Sequence, residues 1–322
     1  KYNNAGELAS VYDSKSKLTT QYYYDTQGRN TGVHKLGGST KHRQEYIYDE
    51  FGRVQKVAET YDTSDYTTEY EYYGNGQVSQ IEAGNSTEKY SYDNYERLTE
   101  WSTYHGTSEN PLIRKSVEYR SPQNNAAFTS AVPKKWSYET DKYSMVYTYG
   151  YDANGNITSE LASQKTGQNI TSYVYDSKNQ LIRENNQAAG KTWVWTYNTA
   201  GNLLSETEYV YTTGTPSNRL AVRNYGYGDT NWGDLLKSYN GKSISYDAIG
   251  NPLKYGNVTY TWQEGRKLKT LSDGSTTWTF TYDVNGMRTE RTSGSKTYKY
   301  VYHGSLLTHM TYVDSASGEN VT

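Results

Sequence analysis

There is no cysteine among the 322 residues. Disulfides, thiolate metal sites and cysteine nucleophiles are thereby excluded. Proline and methionine are scarce, at 5 and 3 copies. Leu, Ile, Val and Phe together make up well under a fifth of the chain, and mean hydropathy is −0.99. No apolar stretch approaches the ~20 residues needed to cross a bilayer as a helix. Net charge is −2, and Lys and Arg never run beyond adjacent pairs. The basic footprint that phosphate binding requires is missing, so nucleic acid is not an expected partner. The chain shows no secretory leader and opens at Lys1 rather than Met, which implies a piece of a longer polypeptide.

Poverty in aliphatics ordinarily indicates disorder, but disorder also requires high net charge and few aromatics. Here there are 38 Tyr and 7 Trp. A buried Tyr removes roughly 150–250 Å² from water while keeping a polar tip. A thin core built from aromatics is therefore within reach. Tyr, Thr and Val favour a pleated, half-buried surface, and no segment carries a helical period.

The aromatics are ordered. Tyr is followed by Asp, and then by Gly three residues after the Asp, at Tyr24-Asp25-Gly28, Tyr48-Asp49-Gly52, Tyr151-Asp152-Gly155, Tyr246-Asp247-Gly250 and Tyr282-Asp283-Gly286. Tyr92-Asp93 and Tyr175-Asp176 keep the dipeptide without the glycine, and Tyr2-Asn3, Tyr12-Asp13, Tyr72-Tyr73, Tyr197-Asn198, Tyr227 and Trp262 head worn copies. The steps from Tyr24 to Tyr48 to Tyr72, and from Tyr151 to Tyr175, are each 24 residues. A period in this range marks a quasi-one-dimensional repeat array.

Each unit reads as a hairpin. Asp at position i with Gly at i+3 suits a type I turn, with the carboxylate accepting from backbone N–H groups to close an Asx-turn. The glycine then takes the left-handed conformation of a G1 bulge, closing a three-residue loop. That geometry places Tyr opposite the residue six positions later, which is Leu8, Leu18, Val54, Val78, Leu98, Ile157, Leu181, Leu203 or Leu268. A second aromatic two residues before the Tyr, such as Tyr22, Tyr46, Tyr70, Tyr90, Tyr149, Tyr173, Trp195 or Phe280, shares its face. A lone hairpin is marginal in water, whereas hairpins paired edge to edge are not. The expected fold is all-β: tandem hairpins over 1–322 forming one long antiparallel strip that spirals into a barrel-like or partly open shell, with the Tyr/Leu face inward or against the next turn of the spiral. Two stretches lack the frame, about 103–145 (Pro111, Pro122, Pro133, Asn124-Asn125) and about 206–224 (Gly214-Thr215-Pro216). They read as eroded repeats with long loops, still carrying strand-like runs at Ser116–Arg120 and Trp136–Thr140.

Tyr-Asp-x-x-Gly-Arg/Asn followed by an aliphatic resembles the YD-repeat signature of the Rhs family, which includes wall-associated bacterial toxins, toxin-complex shells and teneurins. The single motif is weak, but about a dozen copies in register over residues 2–312 are specific. The stretch from Trp232 through Leu253 is similar to repeats of Gram-positive bacteria. The resemblance implies a non-enzymatic, secreted or cell-surface scaffold that encloses or presents a C-terminal toxin-like segment. The chain departs from toxin-type members in having no Asp-Pro dipeptide, so no self-cleavage residues carry over. Residues 300–322 read as the lead-in to further repeats. The implied partner is the rest of the same polypeptide, and no cofactor is implied.

Other chemistries fit less well. The recurring Asp residues resemble glycosidase carboxylates only superficially, because one per turn in every turn is what hairpin closure demands. Asp152-Ala153-Asn154-Gly155-Asn156 is rich in oxygen ligands yet lacks the later bidentate Glu of a calcium loop. His34, His42, His105, His303 and His309 are scattered without metal-site spacing. Carbohydrate is the alternative partner: Trp193 and Trp195 alternate on one strand face and could form a sugar platform, with Trp101, Trp136 and Trp278 as further candidates. The plainer reading is that these rings extend the aromatic ladder.

Overall fold

The structure is a computed structural model and describes residues 1–14, 17–37, 40–61, 63–121, 130–303 and 305–321. Pro122 and the Asn124–Asn125 pair lie outside the described residues, as do Lys15 and Ser16 in the Tyr12-Asp13 turn. Among the described residues there are 28 strands, from Ser10–Asp13 to Glu319–Val321, and no helix. The strands pair antiparallel with their neighbours in the chain, as in the runs from Leu18–Tyr24 to Val78–Ala83 and from Thr277–Tyr282 to Lys296–His303.

The chain divides into two compact units. The first comprises Lys1–Tyr12, Lys17–Val194 and Glu208–Arg219. In it, strands from Leu18–Tyr24 through Leu181–Asn186 pair in succession, and the stretch 103–145 without the frame contributes to the same ladder. Ile113–Tyr119 pairs with Leu98–His105 on one side and Pro133–Glu139 on the other. The second unit comprises Asp13–Ser16, Trp195–Thr207 and Leu220–Thr322, and its strands pair likewise up to Glu319–Val321.

Register agrees with the turn argument. Tyr48 faces Val54, Tyr72 faces Val78, Tyr92 faces Leu98, Tyr151 faces Ile157, Tyr175 faces Leu181 and Trp262 faces Leu268. Each pair is followed at once by a one-residue bulge, so Tyr46 meets Val57 and Tyr70 meets Ile81 on the same face. Bulges increase local twist, and one recurs beside each of these tyrosine or tryptophan pairs. The Tyr227 copy carries its insertion in the turn, with Tyr227 opposite Leu236.

The interior differs from an aromatic core. Only Val117, Phe280 and Tyr282 are buried among the apolar side chains described, and most ladder rings are half-buried. The largest fully covered side chains are polar: His42, Gln44 and Thr192. A Tyr needs its hydroxyl wet or paired, so a tyrosine face stops short of full burial and admits polar neighbours between rings. Most of their polar atoms are paired, although His42 Nδ1 is buried without a hydrogen-bond partner among the described residues. Glu59 takes a hydrogen bond from Gln44 Nε2 at 3.2 Å and pairs with the His42 ring. Bonded in this way, the buried groups avoid most of the cost of leaving water.

Candidate functional site

The chemically distinctive element is the turn, and the Asp49 hairpin shows how it is built. Asp49 N–H donates to Arg53 O at 2.9 Å, and Gly52 N–H donates back to Asp49 O at 3.0 Å. Asp49 Oδ1 accepts from Phe51 N–H and Arg53 N–H, both at 2.9 Å. Gly52 sits at φ +79°, where a Cβ would be strained although only Arg29 Nη1, at 3.6 Å, lies near it. The same double acceptance recurs at Asp25, Asp93, Asp152, Asp176, Asp247 and Asp283. Asn3 and Asn198 reproduce it with an amide oxygen. Where glycine is missing, Glu96 (φ +63°) and Asn179 (φ +61°) take its left-handed place.

The residue after the glycine has a role that spacing did not reveal. Arg29, Arg53 and Arg97 each turn Nε back onto the Asp Oδ2 of their own turn, at 2.7, 2.6 and 2.7 Å. Asn156 and Asn251 do the same through Nδ2, at 2.9 and 2.8 Å. Arginine and asparagine alternate at this position because both present an N–H at the required reach. The carboxyl groups respond. Hydrogen bonds from Arg97 hold Asp93 below the ordinary carboxylate value against a smaller opposing effect of burial, and Asn156 does the same for Asp152. Burial pushes Asp25 and Asp49 upward, but the combined bonds from Arg29 and Gln27, and from Arg53 and Phe51, outweigh it and leave both lowered.

The tyrosine of most of these turns reaches out of its own hairpin. Tyr48 OH donates to Asn30 O at 2.6 Å, Tyr72 OH to Val54 O at 2.6 Å, and Tyr24 OH to Leu8 O at 3.0 Å. Tyr151 to Pro133, Tyr175 to Ile157, and Tyr246 to Leu236 repeat the bond at 2.6, 2.9 and 2.6 Å. Trp262 substitutes its indole N–H, reaching Pro252 O at 2.7 Å. In most of these the acceptor is the residue that faces the previous hairpin's tyrosine. The arginine of that previous turn covers the reaching ring: Arg29 lies 4.6 Å from the Tyr48 centroid and Arg53 4.4 Å from Tyr72. One side chain thus neutralises its own turn and stacks on the next repeat. The worn stretch obeys the rule as well, with Tyr119 OH bonded to Leu98 O at 2.8 Å and Arg97 4.3 Å from the Tyr119 ring. The frame of Tyr119 is too degraded for its sequence to have announced this.

The long loop after Leu203–Val210 is also tied down. Thr212 N–H donates to Thr192 Oγ1 at 3.0 Å, and Arg183 Nη2 donates to Thr212 O at 2.8 Å and Gly214 O at 2.6 Å. This strap covers Thr192. Trp193 and Trp195 are half-buried, Lys191 Nζ lies 6.0 Å from the Trp193 ring, and Trp195 Nε1 donates to Glu206 at 3.3 Å. Trp101 and Trp136 meet edge to face at 5.6 Å, as cross-strand ladder rungs do. His34 lies 3.7 Å from Glu45, and His42 pairs with Glu59. Among the described residues there is no cluster of three His, Asp or Glu arranged to hold a metal ion, and no helix long and apolar enough to cross a membrane.

Bulged hairpins closed mostly by an aspartate, and latched in most cases to the preceding hairpin by a tyrosine, define a tyrosine–aspartate repeat protein. The RHS Repeat family model matches residues 175–216, and the chain is similar there to RHS/YD-repeat proteins. It is 29% identical over 151 residues to the tRNA nuclease WapA of Bacillus subtilis (strain 168), covering 46% of this chain and 6% of that protein. It is 26% identical over 178 residues to the tRNA3(Ser)-specific nuclease WapA of Bacillus spizizenii, covering 52% and 7%. The match therefore spans only a small fraction of these relatives. In fold, 97% of the chain superposes on 20% of TcdB2-TccC3 without its hypervariable C-terminal region, at 13% identity and a TM-score of 0.56.

Proposed function

We propose that this chain is a non-catalytic wall segment of a secreted or cell-surface RHS shell. Residues 1–322 act as a single repeat array, and the shell encloses or presents a toxin-like segment of the same polypeptide. The observation that carries this reading is the hydroxyl-to-carbonyl bond that recurs from repeat tyrosines such as Tyr48, Tyr72, Tyr151 and Tyr175 to the preceding hairpin. Such a bond makes each repeat a support for its neighbour, which suits a wall. The turn aspartates support it too, since each is occupied by its own backbone. In the WapA relatives the matching region is a small part of a long protein named for a nuclease activity. The test is protease protection of the full-length polypeptide. A C-terminal segment shielded until the repeat region is unfolded supports the shell. Cleavage at the rate of the free segment refutes it, and hydrolytic turnover by the repeat region alone refutes the non-catalytic assignment.

The carbohydrate reading on Trp193 and Trp195 has weaker support, because both rings are half-buried and the Trp195 indole N–H is engaged by Glu206. A glycan array separates the two: saturable binding abolished by Trp193→Ala would favour a sugar platform.

A further inference from the structure

In the hairpin of strands Thr277–Tyr282 and Arg288–Ser293, the two positions facing the aromatics are both arginine. Arg288 stands opposite Tyr282 and Arg291 opposite Phe280. The equivalent positions are Val54 and Val57, Val78 and Ile81, or Leu268 and Leu271 in other hairpins. The substitution falls where packing is tightest, since Phe280 and Tyr282 are each only 8% exposed. Arg288 lies 4.7 Å from the Phe280 centroid and 5.9 Å from Tyr282. Arg291 lies 4.7 Å from Trp278 and 4.2 Å from Tyr298, filling the notch between two rings whose centroids are 6.4 Å apart.

The rings cover the guanidinium faces but accept none of their in-plane N–H bonds. The Nε atoms of Arg288 and Arg291 are buried without a hydrogen-bond partner among the described residues. The neighbouring carboxylates are committed elsewhere. Asp314 accepts from Ser295 Oγ at 2.8 Å and Ala316 N–H at 3.0 Å. Asp283 accepts from Asn285 and Met287 N–H. Glu290 pairs with Thr281, on the opposite face. Two permanently charged, planar donors thus lie on an aromatic face without an ion-pair partner among the described residues, and a carboxylate bonded in the guanidinium plane supplies what the rings do not. Flanking Trp278 and Tyr298, both half-buried, give apolar surface for the side-chain stems of a polypeptide.

We propose that this face of the second unit is a docking site for an acidic polypeptide segment, with Arg288 and Arg291 pairing to its Asp or Glu carboxylates. The proposal does not depend on the shell reading. The test is titration of the full chain with a short fluorescent oligoglutamate, beside an oligoglutamine control. Saturable binding of oligoglutamate alone is expected, weakened at least about tenfold in Arg288→Leu/Arg291→Leu. Those leucines restore the residue types of Leu268 and Leu271, and circular dichroism verifies the fold. Should that variant unfold, Arg288→Lys/Arg291→Lys keeps the charge but loses the planar fork, and binding is again expected to weaken. Unchanged affinity in either folded variant overturns the proposal. So does displacement by inorganic phosphate at the peptide's own concentration, which would mark a general anion site, or self-association abolished by the leucines, which would mark a contact between copies.

Discussion

Two residues hold the same left-handed turn position at opposite cost, and exchanging their types measures what the turn contributes. In the Asp93 hairpin, Glu96 occupies φ +63° where its sister hairpins use glycine. A non-glycine residue there costs about 1–2 kcal/mol. Glycine removes that strain but loses about 0.5–1 kcal/mol more backbone entropy on folding. The Glu96 side chain is exposed, and its only described bond to another repeat, from Gln77 Nε2 at 2.8 Å, is taken by its carbonyl and survives replacement. Glu96→Gly is therefore expected to stabilise by about 0.5–1 kcal/mol. Gly52→Val is the reverse experiment. The space around Gly52 is open, with its nearest outside atom at 3.6 Å, so the expected loss of about 1–3 kcal/mol is conformational rather than steric. Gly74, with nothing within 4 Å and no left-handed φ, is the control, and Gly74→Ala should be near neutral. Urea unfolding of the whole chain followed by tryptophan fluorescence gives the midpoints. Amide exchange at each hairpin localises the effect, since a repeat array need not unfold in one step. A destabilised Glu96→Gly, or a neutral Gly52→Val, would refute the claim that backbone conformation governs these turns.

Tyr72→Phe keeps the ring under Arg53 and removes only the bond to Val54 O, so a loss of about 0.5–1.5 kcal/mol is expected in urea unfolding, with faster exchange in the preceding hairpin. Acid should weaken the fold through the turns. Asp25, Asp49, Asp93, Asp152 and Asp247 are lowered from 3.8, so their contribution is present above that value and lost as pH falls through their folded values. Glu160, raised by burial and by Glu184, acts in the opposite sense, and a melting temperature that climbs steadily below the ordinary carboxylate value would contradict the turn assignment. Alkali should act on the ladder. Burial, reinforced by neighbouring charges, pushes Tyr46, Tyr149 and Tyr173 up to about 12. Their contribution is fully present below the unfolded value of 10.0 and lost as pH rises through about 12. Phenolate absorbance and circular dichroism should change together in that window, and ionisation completed well before unfolding would sink the assignment.

The hairpins were legible in the sequence because turn chemistry is local. Asp, Gly and a Tyr facing the sixth residue onward specify a closed unit within a few residues of one another. The links between hairpins were not legible, because their acceptors are backbone carbonyls, which any residue supplies: Asn30, Val54 and Pro133 have nothing in common as side chains. The arginine after the turn glycine was visible as part of the pattern, but its second contact falls on a ring 19 residues on, as Arg29 to Tyr48 and Arg53 to Tyr72 show. The expectation of an aromatic interior erred for a related reason. Composition counts rings but does not say that each hydroxyl must find a partner, and that requirement leaves room for Gln44, Glu59 and Thr192 in the most covered places.

The phenol donors of Tyr24, Tyr48, Tyr72, Tyr151, Tyr175 and Tyr246 all reach toward the amino terminus. A polypeptide emerging from a ribosome or an export channel amino end first would hence have each fresh loop fasten the one made just before it. Assembly of this kind has a sense of travel: the carbonyl is laid down first and waits for the phenol that arrives after it.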